Sequence, residues 1–402
     1  MKTYDVVVCG AGPAGSIAAR NAAQRGLKVA LIEKDKLPRN KTCGGGMPST
    51  VSKYLQGLDP STFVESRVKY MRHTWDFSNP SVVPINSSGP EDLSIWMVQR
   101  RIFDHALAMQ AVDSGVELLD GLTVSSIERG NGEIKIRATQ NNNGADFITT
   151  SKYLIGADGA KGQIAKTCGL RNERRNATAI EVEYPHEWGK GHPELRPDIM
   201  HLEYAIPGGY AWVFPKRDHL NVGAGVVDKR FLKNQTPREL IHNAISRYLH
   251  SLQVTHNIND LVFHAHPVPL WNGCEPLHTA DGQILLVGDA AGLVNPFFCD
   301  GIFNGIVSGS IAAECVASDT VDQYTGQIHD KFGSHFDASE RLGNLFYRFS
   351  RLLFPIIKRP NHSHHAMEML CGETPRLSNS LKQAVFNWMF GFKSDKKLKA
   401  DI

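Results

Sequence analysis

Hydrophobic residues near the start of the chain follow the pattern of a strand, a helix and a second strand. Asp5 to Cys9 is a short, valine-rich run, which predicts a strand buried on both faces. Ser16 to Arg25 carries apolar residues at helical spacing, and Gly26 ends that helix. Val29 to Ile32 is a second buried run. Together these segments predict a parallel βαβ unit.

Further along the chain, other patterns extend this unit. Gln283 to Val287 is another short apolar run, and Ile302 to Ala313 predicts a helix of small and apolar residues. Turns rich in glycine and asparagine at 130–132 and 141–144 predict a small antiparallel unit. The chain therefore combines parallel and antiparallel strands with helices.

The turn after the first predicted strand contains a glycine fingerprint. Gly10 permits the tight turn, Gly12 lets the backbone approach a diphosphate, and Gly15 lets the helix pack closely. The N-terminus of that helix favours phosphate. Glu33, at the tip of the second strand, suits ribose hydroxyls. The alternative is a glycine-rich turn in an α/β unit that binds no nucleotide.

A second part of a nucleotide site follows the strand at 283–287. Gly288 and Asp289 stand at the carboxyl end of that strand, where open α/β sheets bind ligands, and the Asp289 carboxylate suits a ribityl hydroxyl. Gly301 and Ile302 open the next helix, whose N-terminus favours negative charge on a reduced flavin. With the N-terminal fingerprint, these residues predict one FAD molecule held by both halves of the chain.

Composition and charge restrict the partners. The 402 residues exceed the size at which a single core usually grows, which predicts one large domain with insertions. The net charge of +3, from 44 basic and 41 acidic residues, argues against nucleic acid as a partner.

The seven cysteines lack paired spacing, so we expect reduced thiols in a cytoplasmic protein, and no metal site. We also expect a solvated loop at His362, His364 and His365, and no signal peptide before the first strand.

The C-terminal region mixes bulky apolar and basic residues. Residues 342–359 interleave apolar side chains with Arg348, Arg351 and Lys358, and residues 384–390 precede a basic tail. This arrangement fits an interfacial helix in peripheral contact with an anionic membrane. The alternative is a capping helix with a solvated tail. No apolar run reaches the roughly 20 residues that a spanning helix needs.

Several motifs of the sequence resemble a known family. Gly156 to Gly159, with the two half-sites above, is similar to the flavoproteins that share the p-hydroxybenzoate hydroxylase fold. Within that group, Cys43 to Pro48, Val98 to Asp104 and Tyr210 to Lys216 resemble the geranylgeranyl reductase family. The resemblance spans residues 3 to 315. It implies FAD as the cofactor, Arg100 against the diphosphate, and Cys43 at the edge of the flavin ring.

Tyr210, Trp212 and Phe214 carry the most specific part of this match. They alternate, so all three face one side of a strand. Beside a flavin, three aromatic rings would form an apolar trough suited to a polyprenyl chain. The residue pattern alone favours the alternative, an aromatic stripe within a core, and the family resemblance reverses that preference.

The loop Cys43-Gly44-Gly45-Gly46 is expected to lie against the flavin. Consecutive glycines let the backbone approach a flat ring without a Cβ in the way. Cys43 is a candidate proton donor to the substrate, but a thiol near its free pKa is a poor acid at neutral pH. Backbone N–H groups, an ordered water, or a merely packing role for Cys43 are the alternatives.

Three positions depart from the related families. Gly292 stands where aromatic monooxygenases have histidine, and no arginine closes the motif that begins at Asp158 and Gly159. Cys299 stands where the reductases have glycine. A positive φ at Cys299 would strain the backbone.

These observations define the candidate site. We expect catalytic roles for Cys43, Tyr210 and Trp212. We expect substrate contacts from Gly46, Tyr210, Trp212, Phe214 and Pro296. The expected FAD-binding residues are Gly10, Gly12, Ala14, Gly15, Glu33, Lys34, Cys43, Gly44, Gly45, Arg100, Val124, Asp158, Gly288, Asp289, Gly301 and Ile302.

The predicted fold is α/β. A Rossmann-like FAD-binding domain (1–65, 92–175 and 276–330) is interleaved with a mixed or antiparallel β-sheet domain for the substrate (66–91 and 176–275). A helical C-terminal region (331–402) follows.

The predicted function is reduction of C=C bonds in a geranylgeranyl-type chain by hydride from reduced FAD. Since no second nucleotide fingerprint is present, NAD(P)H docking transiently or a ferredoxin-type protein would supply electrons. The alternatives are a monooxygenase or halogenase of the same fold, and a non-catalytic lipid or flavin carrier.

Overall fold

The computed structural model describes residues 1–85, 93–130, 132–232, 235–254, 257–273 and 275–359, together with Met367 and Leu370. The described strands are β1 (Lys2–Cys9), β2 (Val29–Glu33), β3 (Gly46–Pro48), β4 (Val64–Val68), β5 (Tyr70–Trp75), β6 (Ser78–Pro84), β7 (Ile95–Val98), β8 (Glu117–Asp120), β9 (Leu122–Gly130), β10 (Glu133–Gln140), β11 (Asp146–Gly156), β12 (Arg175–Pro185), β13 (Ile199–Glu203), β14 (Gly209–Pro215), β15 (His219–Val226), β16 (His264–Leu270) and β17 (Ile284–Leu286). The described α-helices are α1 (Pro13–Gln24), α2 (Arg100–Asp113), α3 (Ile164–Thr167), α4 (Pro237–Ser251), α5 (Gly288–Ala291), α6 (Ile302–Ala317), α7 (Tyr324–Ile328) and α8 (Ser334–Ile357).

The first sheet confirms the predicted parallel unit. Its parallel strands lie in the order β8, β2, β1, β11 and β17, so that strands from distant parts of the sequence are neighbours. β1 is central, and its valines are fully buried because both faces of the strand are covered. The predicted antiparallel unit is also present, as β9, β10 and the first half of β11. Residues of α1, α2 and α6 share one hydrophobic core with this sheet.

A second sheet contains the strands β16, β12, β15, β14, β13, β5 and β6 in that order. Its strands pair antiparallel except for β13 with β5. Strand alternation divides its residues between two faces. One face packs against α4, through residues such as Val182, Val213 and Val222, and the other faces the first sheet.

The prediction did not anticipate a third sheet. It consists of β3, β7 and β4, which pair antiparallel. Residues 46–98, which supply it, are divided between both predicted domains. The domain boundaries given above stay a proposal.

The described part of the C-terminal region is helical. α8 covers the predicted interfacial segment almost completely, and its backbone leaves helical geometry at Phe349, where φ is −127° and ψ is 30°. Among the described residues, no helix is long and apolar enough to cross a membrane. The predicted segment 384–390 and its basic tail lie outside the described residues.

Candidate active site

The turn after β1 is closed so tightly that two of its residues must be glycine. Gly10 has a φ of 112°, and a Cβ atom there would lie 2.2 Å from the Ala157 carbonyl oxygen. A Cβ atom on Gly15 would lie 1.9 Å from the Gly10 carbonyl oxygen. Both distances are far shorter than a van der Waals contact. This close packing brings the N-terminus of α1 to the edge of the first sheet.

Gly12 faces an open space bounded by two guanidinium groups. Among the described residues, a Cβ atom on Gly12 would have only Arg39 Nη2 and Arg100 Nη2 within 4 Å, each at 3.9 Å. Gly12 is also the N-cap residue of α1, and it provides no side-chain cap. Free backbone N–H groups and two cations favour a diphosphate. These residues fit the diphosphate of FAD.

One buried acid holds both arginines. Asp104 accepts hydrogen bonds from Arg100 Nε at 2.7 Å and from Arg39 Nη1 at 2.9 Å. Burial lowers the pKa of the Arg100 guanidinium, but Asp104 and Cys43 together outweigh burial and hold that pKa above its usual range. Arg100 is therefore charged and fixed in place. The prediction missed Arg39 and Asp104, although Asp104 follows Arg100 at a helical i,i+4 spacing that indicates an ion pair.

Glu33 lies behind the glycine turn. Its Oε2 accepts a hydrogen bond from the Ala11 N–H at 2.8 Å. Lys34 follows at the surface, and Val124 is half-buried on β9. These three residues are not among the described residues that line the main cavity. Ribose binding by Glu33 and cofactor contacts by Lys34 and Val124 therefore stay predictions.

Asp158 supports the backbone beside the site. Its Oδ2 accepts a hydrogen bond from the Ile164 N–H at the start of α3, at 3.0 Å. Its Oδ1 has no hydrogen-bond partner among the described residues, and burial raises the pKa of the carboxyl group. The neighbouring residues Ala157 and Gly159 line the cavity, whereas Asp158 does not. The structure thus gives Asp158 a role in shaping this turn, and its contact with FAD stays a prediction.

The two predicted half-sites meet through small residues. A Cβ atom on Gly288 would lie 2.9 Å from the Cβ of Ala14, so the segments after β1 and β17 are in contact. Asp289 lines the cavity, and its carboxylate lies 3.6 Å from Lys41 Nζ. This arrangement confirms that the two half-sites lie together.

The N-terminus of α6 also faces the cavity. Gly301 is its N-cap residue without a side-chain cap, and both Gly301 and Ile302 line the cavity. Asp300 precedes them, and its Oδ1 has no hydrogen-bond partner among the described atoms. Burial raises the pKa of the Asp300 carboxyl to about 7. This favours its neutral form, which leaves the positive end of the helix dipole available to an anionic group.

The backbone strain expected at Cys299 is present, since its φ is 57°. We expect Cys299→Gly to be more stable than Cys299→Ala by about 1 kcal/mol, because both remove the sulfur and only glycine relieves the left-handed backbone. In a regular helix, by contrast, the alanine variant would be the more stable of the two. Denaturant unfolding of the two FAD-loaded variants measures this difference. Equal stability, or a more stable alanine variant, would contradict it.

The loop Cys43 to Gly46 is fixed between the two large sheets. The Cys43 N–H donates a hydrogen bond to Glu181 Oε1 at 2.7 Å. Lys216 Nζ donates to the Gly44 carbonyl at 2.7 Å. All four loop residues line the cavity. Glu181 and Lys216 are buried charged residues that the prediction did not include.

Tyr210, Trp212 and Phe214 line the cavity from one face of β14, as predicted. The ring centroids of Tyr210 and Trp212 are 6.0 Å apart, and those of Trp212 and Phe214 are 5.9 Å apart. Opposite Trp212 on β15 is Gly223, where a Cβ atom would lie 2.2 Å from the indole ring. The indole therefore extends over β15, and its Nε1 donates to Asn221 Oδ1 at 2.8 Å.

A cavity of about 380 Å³ joins these parts. At one end it is bounded by the half-site residues Gly12, Arg100, Asp289 and Gly301. Beyond the aromatic face, its wall is apolar and comes from the second sheet and from α8. The apolar residues there are Met71, Met200, Leu202, Val227, Val268, Val294, Leu342, Leu345, Phe346, Leu353, Ile356 and Ile357.

Pro296 was predicted to contact the substrate, and that contact stays a prediction. It is buried, and it is not among the described residues that line the cavity. Its carbonyl oxygen faces Gly343 of α8, because the chain turns here to pack on that helix. The next two residues, Phe297 and Phe298, line the cavity.

A cluster of metal-type ligands lies away from the cavity. Glu65, Asp218 and His219 bring ligand atoms within 4.8 Å of one another. The two ring nitrogens of His219 lie 2.7 Å from Asp218 and 3.0 Å from Glu183. Burial lowers the pKa of His219, but the two carboxylates outweigh it and raise the pKa overall. Because carboxylates already engage both ring nitrogens, we interpret the group as an ion-pair cluster. The absence of a metal site stays a prediction, and His362, His364 and His365 lie outside the described residues.

Comparison with known proteins identifies relatives over most of the chain. The profile of the FAD binding domain family matches residues 3–312. A digeranylgeranylglycerophospholipid reductase of Methanothrix thermoacetophila is 32% identical over 326 residues, which cover 80% of this chain and 80% of that protein. An uncharacterized protein of Methanosarcina barkeri is 33% identical over 319 residues, 79% of this chain and 76% of its own length.

Solved structures show the same fold. A geranylgeranyl bacteriochlorophyll reductase-like protein from Thermoplasma acidophilum superposes with a TM-score of 0.76 at 26% identity, covering 95% of this chain and 99% of that one. A flavin-dependent brominase superposes with a TM-score of 0.73 at 18% identity, covering 97% and 100% of the two chains. At that identity, the brominase shows the fold alone.

Proposed function

This chain belongs to the FAD binding domain family and, within it, is an FAD-dependent oxidoreductase of the geranylgeranyl reductase type; from that premise we propose that it reduces C=C bonds of a geranylgeranyl-type chain. The observation that carries the proposal is the continuity of the cavity. One cavity is lined by Gly12, Arg100 and Asp289, by Trp212, and by the apolar side chains of the second sheet and of α8. A long hydrocarbon is the ligand class that such a shape favours.

The cofactor would be held by residues already in place. Arg39 and Arg100 would bind the FAD diphosphate together with the N–H groups of α1, and Asp289 would accept a hydrogen bond from the ribityl chain. When bound and reduced, FAD supplies a hydride. The N-terminus of α6 would stabilise the negative charge that the reduced ring carries.

The protein's task is to position a substrate that has no polar group near its double bond. Tyr210, Trp212 and Phe214 offer broad apolar surfaces from β14, and Phe346 and Leu353 of α8 also contribute to the lining. Packing of this kind fixes one double bond relative to the cofactor. The same apolar wall excludes water from the reacting carbons.

The reductant is NAD(P)H or a ferredoxin-type protein in this proposal. NAD(P)H would dock transiently on the flavin, because the sequence contains no second nucleotide fingerprint.

Product mass tests the proposed reaction. FAD-loaded enzyme is reduced with dithionite without oxygen and incubated with geranylgeranyl diphosphate or a digeranylgeranyl glycerophospholipid. We expect the product to gain two hydrogen atoms for each double bond reduced. An unchanged mass with both substrates would overturn the proposal. Oxygen-dependent hydroxylation or halogenation of an aromatic substrate by the same preparation would favour the monooxygenase or halogenase alternative.

We also propose that α8 contacts an anionic membrane from which the substrate enters. Phe349 and Leu352 are 42% and 53% exposed, at the point where the helix leaves regular geometry. Arg348 and Arg351 stand beside them in the sequence. Leu353, one residue further on, lines the cavity. A surface helix that combines apolar and basic residues is suited to the headgroup region.

The double variant Phe349→Ser/Leu352→Ser tests this contact. We expect about 10-fold weaker binding to vesicles that contain anionic lipid, because two apolar side chains would no longer enter the bilayer. Vesicle sedimentation measures the effect. Val262→Ser is the control, since Val262 is a more exposed apolar residue (68%) outside α8, and its replacement should not change binding. Equal binding by the double variant and the wild type would contradict the proposal.

A further inference from the structure

Glu181 is a buried carboxyl group in the cavity wall. It lies on β12, is 4% exposed and lines the cavity. Its Oε1 accepts a hydrogen bond from the Cys43 N–H at 2.7 Å. No ion pair to Glu181 is present among the described residues: the nearby Lys216 directs its Nζ to the carbonyl oxygens of Gly44 and Val98. A buried acid without a paired cation is costly unless it is protonated or has a function.

Strand pairing places this carboxyl group beside the aromatic wall. Glu181 is opposite Gly223 on β15, and Gly223 is opposite Trp212 on β14. Residues directly opposite one another on antiparallel strands share a face of the sheet. Since Gly223 has no side chain and the indole covers it, Glu181 and Trp212 are neighbours on the cavity side. Cys43, in the loop Cys43 to Gly46, also borders Glu181.

Burial of Glu181 favours a protonated acid near neutral pH. Burial raises the pKa of the Glu181 carboxyl to about 7, and Glu183 on the same strand adds to this effect. Asn221, the Cys43 N–H and Lys216 act in the opposite direction. On the other neighbouring strand, β16, the residue opposite Glu181 is His264, which is exposed to solvent. Glu181 thus lies between the cavity and a solvent-exposed histidine.

We propose that Glu181 is the general acid of the reduction, donating its carboxyl proton to the alkene carbon that does not receive the hydride. The inference rests on the proposed function. The hydride from reduced flavin brings the electron pair of one new C–H bond. The π electron pair of the double bond forms the second C–H bond with the proton of Glu181, which is left as a carboxylate and regains a proton from solvent. Cys43 then acts through its backbone N–H, by positioning the acid.

Glu181→Gln separates this role from a structural one. Glutamine keeps an oxygen for the Cys43 N–H but cannot supply the proton. In a single anaerobic turnover, we expect flavin reoxidation by geranylgeranyl diphosphate to slow about 100-fold. The wild-type rate should be highest at low pH and fall above pH about 7, as the acid is lost, whereas the rate of Glu181→Gln should not follow this profile. FAD content and reduction by dithionite should match the wild type.

Glu183→Gln is the matched variant on the same strand. It removes a carboxylate that raises the pKa of Glu181, so the fall in rate should move to lower pH while the low-pH rate stays within a few-fold of the wild type. Infrared difference titration of the substrate-free enzyme gives a second readout. The carbonyl band that the protonated Glu181 carboxyl contributes near neutral pH should be lost in Glu181→Gln and kept in Glu183→Gln, whereas the band of Asp300, whose pKa is also about 7, should remain in both.

Three results would overturn the inference. They are a wild-type rate in Glu181→Gln, a slower rate with the wild-type pH profile, and an infrared titration in which Glu181→Gln loses no carbonyl band relative to the wild type. A wild-type enzyme that no prenyl substrate reoxidises would instead overturn the proposed function itself, so the two failures are distinguishable.

Discussion

Replacing Gly12 with valine will abolish FAD binding and leave the fold intact. Gly12 has an extended backbone, with φ at −81° and ψ at −178°, which valine adopts without strain. In the protein without ligand, the nearest groups to a Cβ atom there are the guanidinium groups of Arg39 and Arg100, at 3.9 Å. The new side chain would therefore occupy the space in which the diphosphate must lie. It would also block access to the N–H groups of α1.

FAD released from purified protein, measured against polypeptide concentration, checks this expectation. Gly130→Val is the matched control, because Gly130 lies at the end of a strand with nothing within 4 Å of a Cβ atom. It should bind FAD like the wild type. Far-ultraviolet circular dichroism of both variants should match that of the wild-type apoprotein. Full FAD occupancy in Gly12→Val would show that the diphosphate does not lie beside α1.

Trp212→Ala will impair prenyl turnover by more than about 100-fold at unchanged FAD occupancy, because displacing a reacting bond by even 1 Å has effects of this size. The indole covers Gly223 and forms the centre of the aromatic wall. Its removal leaves a gap in the surface that positions the double bond. Loss of a buried tryptophan also costs about 3–5 kcal/mol of stability, so the assay temperature should lie well below the unfolding midpoint.

The ratio kcat/KM for a geranylgeranyl substrate, per bound FAD, measures this effect. Trp212→Phe retains an aromatic ring and loses only the hydrogen bond to Asn221, so it should keep most of the activity. Trp188→Ala is the control, since Trp188 donates its Nε1 hydrogen bond to the Arg217 carbonyl and is not among the described cavity-lining residues. Loss of FAD from Trp212→Ala would show that the residue is structural.

Local patterns were sufficient for the framework of this fold. The valine-rich run of β1, the close packing required at Gly10 and Gly15, and the alternation at Tyr210 and Trp212 each depend on neighbours in the sequence. Such features are set by backbone geometry and periodicity. The glycine that related reductases have at Cys299 raised the question of a positive φ there, and the structure shows one.

The rest of the site depends on contacts between distant segments. Asp104 holds Arg39 from α2, and Glu181 reaches Cys43 from β12. No spacing in the sequence links these pairs, because the packing of separate elements brings them together. Pro296 shows the same limit in another way. It belongs to a segment that was expected to contact the substrate, but the chain at Pro296 packs on α8. Buried charged residues were the most difficult to predict for the same reason: their partners come from elsewhere in the chain.

Anaerobic reoxidation of the reduced flavin tests the central claim most directly. Reduced enzyme is mixed with geranylgeranyl diphosphate in a stopped-flow instrument, with the fully saturated phytanyl diphosphate as the matched control. We predict that the absorbance of oxidised flavin returns with the unsaturated substrate and stays absent with the saturated one. Reduced flavin that persists with both, while the enzyme holds its full complement of FAD, would contradict the assignment of this protein as a prenyl-chain reductase.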